Sequence, residues 1–97
     1  MRTLVKIVIP TASGNAAIKN GVLPRVIQRA LETLKPEAAY FTTEDGKRTM
    51  LMVLDLQNSS DLPSIAEPFF SALDAEVSFS PAMNANDLKT GLSQLSE

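Results

Sequence analysis

Lys6, Tyr40 and Thr42, taken with Met50 and Met52, are the side chains here whose types and spacing come nearest to a binding site. An ammonium, a phenol and a hydroxyl among polarisable apolar groups would make a partly polar pocket for a small organic anion. In it Lys6 would supply the charge and Tyr40 a hydrogen-bond donor. The same set fits a homodimer interface in which Lys6 and Tyr40 simply bond across the seam. Methionine-rich flat faces pack against one another more often than they hold cofactors, so the interface is the simpler reading.

Other constellations carry less. The stretch TASGN at residues 11–15 precedes a helical segment and offers N–H groups to an anion, but it lacks the repeated glycines of a phosphate loop. An ordinary capped turn accounts for it. Asp55, Asp61, Glu67, Asp74 and Glu76 supply carboxylates, yet nothing in their spacing forces two of them to converge as general acid–base work requires. Arg25 and Arg29, one helical turn apart, could grip a carboxylate; pairing of Arg29 with Glu32 on a wet helix face is the simpler account. The chain has no cysteine and no histidine. Thiolate chemistry is thereby excluded, together with the commonest general base and the commonest transition-metal ligand. No catalytic residue, metal or cofactor is assigned.

These side chains sit on elements that the sequence marks clearly. Residues 38–56, AAYFTTEDGKRTMLMVLDL, read as two strands folded on a turn at Glu44-Asp45-Gly46-Lys47, because Asp-Gly between β-forming runs accepts the positive φ of a primed turn. The second of these strands is apolar on both faces and belongs inside a sheet. TLVKIVI at residues 3–9 is the first strand, ended by Pro10. A short helical piece at 15–20 stops at Asn20-Gly21, and the main helix follows with Pro24 in its first turn. Its apolar stripe is Leu23, Ile27, Ala30, Leu31 and Leu34, and Lys35-Pro36 stops it. Ser60 or Asp61 caps a helix running to about Leu73. Pro68 inside it predicts a kink, or a regular part that begins near Ala66. Residues 76–80 form a last short strand. Asn84 or Asn86 caps a terminal helix with Leu88, Leu92 and Leu95 as its seam.

The order β-α-β-β-α-β predicts an α+β, ferredoxin-like fold. It is a four-stranded antiparallel sheet with helices on one face, plus a C-terminal helix, and its first and third strands are central. If Val5, Ile7, Phe41, Leu51, Val53 and Phe79 face the helices, alternation turns Leu4, Lys6, Val8, Tyr40, Thr42, Met50, Met52 and Leu54 to the open face. Ninety-seven residues make one domain, 1–97, and the net charge of −2 with scattered Lys and Arg argues against nucleic acid. RNA recognition-motif domains share the strand order, but they stack bases on central-strand aromatics, where this chain has Leu, Lys, Val and Met. No apolar run approaches the roughly 18 residues of a membrane span, and no signal-peptide pattern is read at Met1-Arg2, so cytoplasm is the expected compartment.

With its segments KPEAAYFTTEDGKRTMLMVLDL, SIAEPFFSALDAEV and SPAMNANDL, the chain resembles small bacterial ferredoxin-like domains of the dimeric α+β-barrel type. The resemblance implies a homodimer formed through the open sheet face, with a small organic molecule bound between the sheets. The alternative it implies is an oxygenase- or isomerase-like enzyme acting on a small organic substrate. Members that do such chemistry generally use a histidine or other polar groups in the barrel; this chain lacks the histidine, and no catalytic residue is transferred.

Overall fold

The computed structural model describes residues 1–95. The chain forms β1 (Arg2–Ile9), α1 (Thr11–Lys19), α2 (Val22–Leu34), β2 (Ala38–Glu44), β3 (Lys47–Asp55), a 3-10 turn (Ser59–Asp61), α3 (Leu62–Leu73), β4 (Glu76–Pro81) and α4 (Ala85–Ser93). The strands make one antiparallel sheet in the order β2-β3-β1-β4, so the two most apolar strands are central. With α1, α2 and α3 on one face, this is the α+β ferredoxin-like arrangement. Among the described residues no helix is long and apolar enough to cross a membrane.

The β2–β3 hairpin turns on two residues. Glu44 pairs with Lys47, and both central residues hold positive φ, Asp45 at 51° and Gly46 at 76°. That is a type I′ turn, whose twist matches the flanking strands. No atom lies within 4 Å of where a Cβ on Gly46 would sit, so a side chain there costs only backbone strain. Gly46→Val is expected to destabilise by about 1–2 kcal/mol, seen as a lowered thermal midpoint. An unchanged midpoint would mean the turn is drawn wrongly.

Three local readings need correction. The TASGN stretch is not a loop but the first half of α1, which starts at Thr11 straight after Pro10, with the Gly14 N–H bonded to the Pro10 carbonyl at 2.9 Å. The glycine serves no turn; it lies against the movable end of the Arg48 side chain. A Cβ on Gly14 would lie 2.6 Å from Arg48 Nη1, and the next residue, Asn15, accepts from Arg48 Nη2 at 3.0 Å. Second, α3 is helical from Leu62, not from Ala66, and carries Pro68 within it. Pro68 and Ser64, whose carbonyl it leaves without a helical donor, are both exposed, so water can replace the lost bond.

The third correction concerns the phase of β3. Met50, Met52 and Leu54 pair with Ile7, Val5 and Thr3 on the helix-covered side. They are core residues, Met50 at 1% exposure and Met52 at 0%. Leu51 and Val53 therefore face the other way, opposite Lys6 and Leu4.

The core lies between the sheet and α1–α3, around Val5, Ile7, Met50, Met52, Phe69 and Leu73. α2 ends where Lys35 adopts φ 46°, since Pro36 bars the preceding residue from continuing the helix. α4 buries no residue at all. The chain measures 56 × 28 × 18 Å with a radius of gyration of 15.5 Å, against about 12.5 Å for a compact chain of this length. An unpacked terminal helix accounts for the excess.

Candidate functional site

The side of the sheet away from α1–α3 is the surface on which the expected site residues meet. Three rows cross its centre. Leu4 stands beside Val53 and Ala38, Lys6 beside Leu51 and Tyr40, and Val8 beside Thr49 and Thr42. Strand alternation puts all nine on one face. Lys6, Tyr40 and Thr42 are thus brought together as expected, while Met50 and Met52 are not among them. Leu51 and Val53 occupy the places foreseen for the methionines.

Lys6 is not an isolated cation. Its Nζ lies 3.0 Å from one Glu44 carboxylate oxygen and 3.1 Å from the other. To reach it the lysine stem crosses the Val8–Thr49 row, and Thr49 is buried although it lies on the open face. Glu44 is the residue beside Lys6 that the sequence reading overlooked by treating it only as part of the turn. A signal was present, for Tyr40, Thr42 and Glu44 alternate along β2 and must share a face. Tyr40, on the edge strand, is 68% exposed. The face therefore offers an apolar centre of Leu4, Leu51 and Val53 with a polar corner made of a neutralised ion pair, a phenol and two threonines.

At the other end of the face Arg2 bridges two carboxylates, donating from Nε to Glu37 at 2.9 Å and from Nη1 to Asp87 at 2.9 Å. The bond to Glu37, more than that to Asp87, raises the guanidinium above its usual pKa. Asp87 belongs to the first turn of α4, where its carboxylate accepts from the Asn84 N–H while Asn84 Oδ1 accepts from the Asp87 N–H. This capping box fixes the start of α4, and Arg2 ties that start to the sheet. Beside it the Met1 amino group donates to Asp55 at 2.9 Å and holds that carboxyl below its ordinary pKa.

Asp55 and Asp61 line one small pocket, but their carboxylates are already engaged, as is that of Asp74. Asp61 accepts from the Asn58 N–H and Asp74 from the Ser13 hydroxyl, while Asp55 is engaged by Met1. Among the described residues no three carboxylates are grouped to hold a metal ion. The expected pairing of Arg29 with Glu32 does not form, because Glu32 accepts from Gln28 at 3.1 Å instead.

A ferredoxin-like α+β domain with one sheet face uncovered is what fold and site together define. No protein-family model matches the chain, and no curated protein matches it. Its function is to be argued from the chemistry of that face.

Proposed function

We propose that the chain works as a homodimer of the dimeric α+β-barrel type, two copies closing their open sheet faces on one another with room for a small organic molecule at the seam. The observation that carries this reading is the run of Leu4, Leu51, Val53 and the Tyr40 ring across a face that no element of the described residues covers. Soluble proteins seldom leave such a patch in water. A second copy would bury on the order of 800 Å² per partner, enough for a stable dimer.

The charged groups suit closure. A lone lysine ammonium would be costly to bury, but Lys6 enters the seam already paired with Glu44. The α4 seam fits as well. Leu88 and Leu92 are 46% and 56% exposed on a helix whose start Arg2 anchors at the edge of the open face, whereas Leu95, expected in the same seam, lies past the helix end at Ser93 and is 70% exposed. A partner would give them a surface to cover. Within the seam the Tyr40 and Thr42 hydroxyls and the Lys6–Glu44 pair would present both donors and acceptors to a small polar molecule. A cytoplasmic setting fits a chain without cysteine.

The enzyme reading draws no support from the geometry. It needs an available general base, whereas Lys6 is held by Glu44 and the sequence contains no histidine. Native mass spectrometry of freshly purified protein tests the binding role. The expected spectrum shows twice the chain mass with an added small-molecule mass that falls away in Tyr40→Ala. A dimer that never carries added mass would remove the ligand from the account.

A further inference from the structure

The opposite side of the molecule carries a feature that the dimer does not use. Between α2 and α3 runs a groove of about 350 Å³, within the size range of small-molecule sites. Val26, Ala30, Leu34, Ile65 and Phe69 line it, and Phe69 closes its floor in the core. A single charged side chain borders it, Arg29.

Among the described residues no carboxylate lies within 4.0 Å of the Arg29 guanidinium. Glu32, the acid on its own helix best placed to take it, is bonded to Gln28. The two hydroxyls on the groove, Thr33 and Ser64, each donate to backbone carbonyls, those of Arg29 and Asp61, and the groove lining includes no acidic side chain. An apolar trough with one unmatched, bidentate cation at its edge complements one kind of molecule. That molecule has an apolar body and a single carboxylate.

We infer that the α2–α3 groove binds a small amphipathic carboxylate, its hydrocarbon part along Val26, Ala30 and Phe69 and its carboxylate on Arg29. The site is on the helix side of the sheet and stands whether or not the open faces pair.

Titration of ¹⁵N-labelled protein with sodium octanoate, followed by amide chemical shifts, tests it. Saturable shifts are expected at residues 26–33 and 64–70, with affinity at least tenfold weaker in Arg29→Gln. Because Arg29 is exposed, this change leaves the core intact. In the wild type 1-octanol, the same chain without the charge, is expected to bind at least tenfold more weakly than octanoate. Absence of saturable shifts would overturn the inference, as would shifts centred on Leu51 and Tyr40. Equal affinity for octanoate in Arg29→Gln, or for octanol in the wild type, would overturn the carboxylate assignment.

Discussion

Phe69→Ala is expected to lower the unfolding free energy by about 3–5 kcal/mol, the largest loss of any single truncation in this chain. Phe69 is the bulkiest of the fully buried side chains, on the face of α3 turned to the sheet, at 1% exposure. Removing its ring costs the transfer free energy of the apolar atoms and also leaves a cavity that the sheet, pinned by its hydrogen bonds, cannot collapse to fill. Phe70 supplies the control. It follows directly in the chain but is 40% exposed, so Phe70→Ala removes little buried area and is expected to cost distinctly less. Urea titration of both variants measures the difference through the transition midpoint. Equal losses would mean that α3 is rotated from the phase described.

The elements were legible in the sequence because each has a chemical start or stop. Asn20-Gly21, Lys35-Pro36, Asp45-Gly46 and the Asn84 cap all fall where the chain changes direction or structure. The β3 phase was harder, since Met50, Met52 and Leu54 on one side and Leu51 and Val53 on the other are both apolar enough to be core. Alternation alone does not choose between them. The hairpin does choose. A two-residue turn that pairs Glu44 with Lys47 must pair Phe41 with Met50 and Tyr40 with Leu51. Phe41 and Leu51 therefore cannot share a face. The solvent-facing set also ends in Lys47 and Asp55, both exposed, whereas the core set ends in Leu54.

What stayed hidden was tertiary. Arg48 from β3, thirty-odd residues away, lies against Gly14 and bonds Asn15 on α1, and no local pattern encodes that contact. The Gln28–Glu32 bond that leaves Arg29 unmatched is another such choice, made between side chains that propensity treats alike. Of the side chains that meet on the open face, Lys6, Tyr40 and Thr42 were placed there through alternation. Glu44 was missed although the same alternation reaches it.

The corrected β3 phase changes which substitution probes assembly. Met52→Lys would bury an ammonium in the core and unfold the protein. Leu51→Lys places the same group one residue along, at the centre of the open face, where a monomer leaves it in water. In an isologous dimer the change acts twice, and each unpaired ammonium buried at the seam costs several kcal/mol. Since every 1.4 kcal/mol is a tenfold change in affinity, dissociation should be complete at micromolar protein. Circular dichroism should still show the wild-type secondary structure for Leu51→Lys and its loss for Met52→Lys. Light scattering coupled to size-exclusion chromatography then reads the assembly itself. Twice the chain mass is expected for the wild type and a single chain mass for folded Leu51→Lys. A wild-type protein that elutes with the mass of one chain at micromolar concentration would contradict the dimer.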